Sequence, residues 1–284
     1  MAEKRLPRHK RSGDAPNMRL MPRDIEILKA IADYRIMRQD QIQQLFFTSR
    51  STAQYRLSHL FHHGYVQRHF LPVYAGWSPT IYTLDKKGIT LLRREHGMSK
   101  IVVWDDGNGH EFLSHTLAIH DVRVAVTIAC REAGYLLVRW LSESDLKADY
   151  DRVQISKHKD DIQDVSLIPD SYFTIQTPHG NASAFLEMDM GKMSIGRFTT
   201  KIRAYIAYMR TGAYTKRYQT RSLRILTVTN SETRCTNLRI RAESVGADKR
   251  FLFTSKEAVT IQAVLHEAIW HGAGNPSPTA FIPK

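Results

Sequence analysis

At 284 residues the chain can bury a substantial core, and two domains are expected. No run approaches the ~18 to 20 apolar residues of a membrane-spanning helix, and the basic opening "MAEKRLPRHKRSG" is not followed by an apolar signal region, so a cytoplasmic protein with no membrane partner is expected. The net charge of +13 is uneven: residues 1–100 carry 18 Lys/Arg against 8 Asp/Glu, and the rest of the chain carries 23 against 20. A basic amino-terminal third points to nucleic acid, because each neutralised phosphate releases counterions.

Residues 1–20 mix Lys, Arg, Pro and Gly without periodicity and read as a disordered basic arm. "MPRDIEILKAIADY" predicts a helix with Pro22 in its first turn and Ile25, Leu28 and Ala32 at helical spacing, with Ile31 beside them. "MRQDQIQQLFF" predicts a second, short helix with Ile42, Leu45 and Phe46 on its apolar face. In the following "TSRSTAQYRLSHLFHHGYVQRHF", Ala53, Leu57, Leu60 and Phe61 form one buried stripe and Gly64 stops the helix. Arg50, Ser51, Thr52, Gln54, Tyr55, Arg56, Ser58 and His59 are left largely outside the stripe. "YVQRHF" and "TIYTL" read as strands around the loop "LPVYAGWSP", and "DKKGITLLRREHG" returns to helix. The polar, glycine-containing "VVWDDGNGHE" is a break, with a domain boundary placed near residue 105.

Beyond the break, "EFLSHTLAIHDVRVAVTIACREAGY" predicts a long helix with Leu113, Leu117, Val124 and Ile128 on its apolar side. "LLVRWLSESDL" reads as a strand ending in Glu143 and Asp145, and "SYFTIQ" pairs with "ASAFLEMDM" as a hairpin across "TPHGN". Strand alternation puts Phe185, Glu187 and Asp189 on one face, and Asp170, at the start of the neighbouring strand, can join the two carboxylates. Hard oxygen ligands grouped this way suit Mg²⁺ or Mn²⁺, which can activate water and stabilise a phosphoryl transition state; the alternative is a polar outer face of a hairpin. "SIGRFTTKIRAYIAYMRTG" predicts a helix burying Phe198, Ile202, Tyr205 and Met209, and Lys201 borders that face, able to reach back over the sheet towards a phosphate. A strand at "LRILTVT", a helix over about 231–245, a strand at "FLFT" and a flexible tail over 271–284 complete the reading. Residues 143–189 carry 4 basic and 10 acidic residues and 192–256 carry 15 and 3, an order that suits metals beside a phosphate backbone or internal salt bridging.

Three helices, a β-ribbon and a further helix resemble a winged helix-turn-helix over residues 21–104, with "STAQYRLSHLFHHGYVQR" as recognition helix running into the wing. That role implies DNA contacts from Arg50, Ser51, Gln54, Tyr55, Arg56 and Ser58, and phosphate contacts from Arg68, Lys86 and Lys87 in or beside the wing. The helix, strand, hairpin, helix, strand order over 105–270, with "PD" at 169–170 and "EMD" at 187–189, resembles a PD-(D/E)xK nuclease domain, a restriction-endonuclease-like mixed sheet flanked by helices. Together, in a two-domain α+β and α/β chain, the two modules resemble the replication-relaxation family of plasmids and mobile elements. The resemblance implies Asp170 and Glu187 as metal ligands and Glu143 as the acidic residue preceding them. Where the pattern has lysine this chain has Asp189, so either Asp189 is an extra ligand with Lys201, or less favourably Lys192, supplying the cation, or catalysis is lost while the fold still holds DNA. The expected function is a DNA-binding protein of a mobile element, acting in replication, relaxation or mobilisation with Mg²⁺- or Mn²⁺-dependent nicking. The alternative is a non-catalytic winged-helix regulator whose second domain serves oligomerisation or partner contact. Double-stranded DNA, a second copy of the chain and other replication or mobilisation proteins are the expected partners.

Other motifs carry less. Cys130 and Cys235 give neither a disulfide framework nor a cysteine-based zinc site, and His59 and His63 stand i, i+4 without a third ligand nearby. Neither a Walker-type loop nor a G-x-G-x-x-G after a strand is present, which disfavours nucleotide hydrolysis and dinucleotide chemistry.

Overall fold

A computed structural model describes residues 7–13, 15–70, 79–102, 104, 109–156 and 162–283. The chain divides into two compact units, Met1–Val124 and Ala125–Lys284. The segment 105–108, where the boundary was placed, and the hairpin loop 71–78 lie outside the described residues.

The first unit opens with α1 (Pro22–Tyr34), β1 (Met37–Arg38), α2 (Gln39–Phe46) and α3 (Arg50–His62). It continues with β2 (Val66–Phe70), β3 (Thr80–Leu84) and α4 (Lys86–Glu95). Pro22 takes the first turn of α1, and Asp24 accepts the Met21 N–H at 2.6 Å, satisfying a helix-end donor. The expected stripe of α3 is realised: Ala53, Leu57, Leu60 and Phe61 are all buried. The helix stops where Gly64 adopts φ +80°, donating to the Phe61 carbonyl while Tyr65 donates to that of Leu60. Gly88 permits a close approach, since a Cβ there would meet the Tyr65 carbonyl oxygen at 2.3 Å. The short strand β1, too brief for a periodicity signal, pairs with β3 to give a three-stranded sheet of order β1-β3-β2. Within the arm 1–20, expected to be disordered, Arg11 and Ser12 hydrogen-bond to α3, β2 and Asp85.

The long helix α5 (His110–Ala133) contains the division between the units. Next come β4 (Leu136–Ser142), α6 (Glu143–Ala148), β5 (Asp151–Ser156), β6 (Ile162–Leu167), β7 (Ser171–Thr177) and β8 (Gly180–Asp189). Then follow α7 (Ile195–Thr211), α8 (Ala213–Tyr218), β9 (Leu223–Thr229), α9 (Glu232–Ser244), β10 (Phe251–Ser255), α10 (Ala263–His266), β11 (Trp270–Gly272) and β12 (Pro278–Thr279). A seven-stranded mixed sheet of order β12-β11-β10-β9-β8-β7-β4 is flanked by helices; β8, β9 and β10 run parallel and the other pairs antiparallel. The central strand β9 is buried along nearly its whole length, Leu223, Ile225, Leu226 and Val228 supplying its apolar side chains and Thr227 and Thr229 its buried polar ones. Phe198, Ile202 and Tyr205 of α7 and Leu238 of α9 pack with Phe185, Ile225 and Phe253 of the sheet in one core.

Three features of this unit differ from the sequence reading. Glu143 does not end a strand but begins α6, because Ser142 and Asp145 form a capping box that turns the chain into helix. An additional hairpin, β5–β6, occupies the acidic stretch and buries Val153, Ile155 and Leu167. The tail expected to be flexible adds β11 and β12 to the sheet, and its Phe281 is buried against Phe173 and Trp270. Among the described residues no helix is long and apolar enough to cross a membrane.

Candidate functional site

In the first unit, burial of the α3 stripe leaves Arg50, Ser51, Gln54 and Tyr55 exposed along one side of the helix, with Ser58 half-buried. Arg56 is placed differently. Its guanidinium clasps buried Asp24, with Nε to Oδ1 at 2.6 Å, and donates to the Arg19 carbonyl at 2.7 Å, so it anchors α3 to α1. Arg68, on β2, is half-buried and lies over the rings of Phe61 and Tyr82. Lys86 and Lys87 are exposed in the first turn of α4. His59 is buried, and His63 points its Nδ1 to the His59 carbonyl at 2.9 Å, which suits structural histidines.

In the second unit the sequence-predicted carboxylates sort into two arrangements. Glu187 and Asp189 stand two apart on β8, opposite Thr227 and Thr229 of β9, at the end of the strand that leads into α7. Glu187 is buried; Lys201 donates to its Oε2 and the Tyr205 hydroxyl to its Oε1, both from α7. Asp170 holds the strand end by accepting the Met188 N–H at 2.7 Å. Burial, with the Asp170 charge adding to it and the Lys201 charge opposing, pushes the Glu187 carboxyl up to about 7. Burial would lower the Lys201 ammonium, but the charges of Glu187 and Asp170 outweigh it and hold that group charged. The Tyr205 hydroxyl is raised by burial and by the Glu187 charge, so it stays a donor. Glu187, Asp189, Lys201 and Tyr205 share the wall of a small pocket with Phe198 and Ile202.

Asp189 belongs to a second arrangement. Arg234, from α9, holds it with two parallel hydrogen bonds of 3.0 Å and donates also to the Met193 carbonyl at 2.6 Å. Both Asp189 oxygens are thus engaged, Oδ1 also by the Gly191 N–H at 2.7 Å. Glu143 pairs with Lys147 one turn along α6 at 2.6 Å, although its charge is near enough to favour the Lys201 ammonium. The structure therefore brings Asp170, Glu187 and Lys201 together and commits Asp189 to α9. Among the described residues no three His, Cys, Asp or Glu side chains are grouped to hold an ion. Here both Glu187 oxygens are engaged by α7 and Asp170 accepts the Met188 N–H, whereas Mg²⁺ is often bound through one or two carboxylates and keeps several waters. Tyr205 and Arg234 were not foreseen as site residues. Tyr205 stands three after Ile202 and seven after Phe198, a spacing that placed it in the apolar stripe of α7, and Arg234 was one cation among the 15 of the basic block.

The family model described as Replication-relaxation matches residues 28–223. No curated protein matches the chain. A solved structure, of restriction endonuclease FokI, is similar at 11% identity over 85% of this chain and 43% of that chain, with a TM-score of 0.25. The chain thus spans less than half the length of that protein, and a score so low does not establish a common fold.

Proposed function

The chain belongs to the replication-relaxation family, and from that premise we propose that it is a cytoplasmic DNA-binding protein of a plasmid or other mobile element, acting in its replication, relaxation or mobilisation. The first unit works as a winged helix-turn-helix: α3 enters the major groove, and the β2–β3 hairpin is the wing. The observation that carries this reading is the exposed row Arg50, Ser51, Gln54 and Tyr55 above a fully buried stripe. Arginine can donate two hydrogen bonds to guanine, and glutamine pairs likewise with adenine. Arg68, Lys86 and Lys87 contact phosphate and set the register.

The second unit works on the DNA backbone as a restriction-endonuclease-like domain. Asp170 and Glu187 would hold Mg²⁺ or Mn²⁺, which when bound would offer positive charge to a phosphodiester under attack and acidify a coordinated water. Lys201, brought from α7 in place of the lysine the signature has at position 189, offsets the charge of Glu187 and can turn from it to a phosphate oxygen. Tyr205 orients Glu187 from beneath. Duplex binding followed by anisotropy, together with nicking of supercoiled plasmid in Mg²⁺, Mn²⁺ or EDTA, tests both parts. Metal-dependent nicking lost in Asp170→Ala and Glu187→Ala supports the nuclease; duplex binding without nicking under any metal removes it.

A second reading, a non-catalytic regulator, is favoured by one observation: both Glu187 oxygens are engaged by α7, so the carboxylate is satisfied without a cation. In that case Glu187→Ala leaves operator binding intact, whereas Arg50→Ala weakens it in either reading.

A further inference from the structure

Between Asp40 and Glu95 the sequence holds a single acidic residue, Asp85, in a stretch that otherwise carries only positive charge. Asp85 is buried, caps α4 by accepting the Lys86 N–H at 2.7 Å, and stands next in the chain to Lys86 and Lys87. It is neutralised from the amino-terminal arm. Arg11 forms an ion pair with its Oδ2, donates from Nε to the Phe61 carbonyl at 2.9 Å and from Nη2 to that of Val66 at 3.4 Å, and lies over the Phe61 ring. The neighbouring Ser12 N–H donates to His62 Nδ1 at 3.0 Å, and Arg68 donates to the Arg8 carbonyl at 3.4 Å. One arginine thus reaches acceptors at the end of α3, on β2 and at the cap of α4, while Arg8, over the Phe70 ring of β2, and Lys10 remain exposed.

We propose that this contact is a clip: Arg11 cancels Asp85 and fixes the arm so that Arg8 and Lys10 form a third DNA-backbone contact, continuous with Arg68, Lys86 and Lys87. The inference rests on the reading of the first unit as a duplex binder and adds to it a surface outside α3 and the hairpin loop. The contacts leave from two nitrogens of the rigid guanidinium, Nε to Phe61 and Nη2 to Val66 and Asp85, so the single ammonium of lysine at position 11 keeps the charge and loses the clip.

The test is anisotropy of a labelled duplex across a salt series with the full chain, comparing wild type, Arg8→Ala/Lys10→Ala, Arg11→Lys and Gln54→Ala. Each phosphate contact contributes about 0.9 to the slope of log K against log salt, so the double variant should lose about 1.8 of slope and bind on the order of tenfold more weakly. Arg11→Lys, with unchanged net charge, should lose at least half as much slope. Arg8 and Lys10 are exposed, so their replacement leaves folding intact and the double variant decisive. Wild-type affinity and slope in the double variant would overturn the third contact, and a wild-type Arg11→Lys would overturn the clip. Weakening by Gln54→Ala without either effect removes this inference and leaves the α3 reading standing; a wild-type chain that binds no duplex removes both.

Discussion

The Glu187 carboxyl makes stability depend on pH in a direction opposite to that of an ordinary ion-paired carboxylate. Its ordinary value of 4.5 rises to about 7 in the fold, chiefly because burial penalises the charged form. A folded-state pKa above the unfolded one means that the folded chain holds the proton more tightly. The stability this supplies is complete below about 4.5 and is lost as pH rises through about 7. At roughly 1.4 kcal/mol for each pH unit of difference, the loss amounts to about 3 kcal/mol. Urea unfolding of wild type and Glu187→Gln in EDTA, from pH 4.5 to 8.5, separates it from the titration of groups remote from Glu187, which cancel in the difference. The wild-type advantage should fall by about 3 kcal/mol across that range. A difference that stays flat, or grows with pH, would refute the reasoning, because it would mean that the Lys201 ion pair outweighs burial and holds the carboxyl down.

Four further outcomes follow from the geometry. Arg234→Ala leaves Asp189 buried without its partner and should destabilise the chain by about 3 to 5 kcal/mol in urea unfolding, whereas a solvated pair would cost under about 1 kcal/mol. Arg56→Ala strands buried Asp24 and should lower thermal stability together with DNA affinity; Arg50→Ala should cost about 1 to 3 kcal/mol of binding to a specific duplex and leave the melting temperature unchanged. Phe281→Ala empties an aromatic site between Phe173 and Trp270 and should cost about 3 to 5 kcal/mol, measured by urea unfolding; an unaffected midpoint would show that the carboxy-terminal segment does not close the sheet.

Local patterns in the sequence determined most elements of both units. The spacing of Ala53, Leu57, Leu60 and Phe61 is enough to define the buried side of α3, and with it the exposed row, because helix periodicity is a local property. The alternation in "FLEMD" likewise puts Glu187 and Asp189 on one face, and the position of Lys201 in α7 brings it to the rim of the same face. What the two carboxylates do there was decided by partners distant in sequence. Arg234 comes from a helix three elements beyond α7, and no spacing rule links it to Asp189. The same holds for Arg11 with Asp85, for Arg56 with Asp24, and for the terminal strands that fold back on Trp270 and Phe281. A side chain's polarity and helical or strand phase are written in its neighbours along the chain. The ion pair that consumes it depends on which elements pack together, and only the tertiary structure decides that.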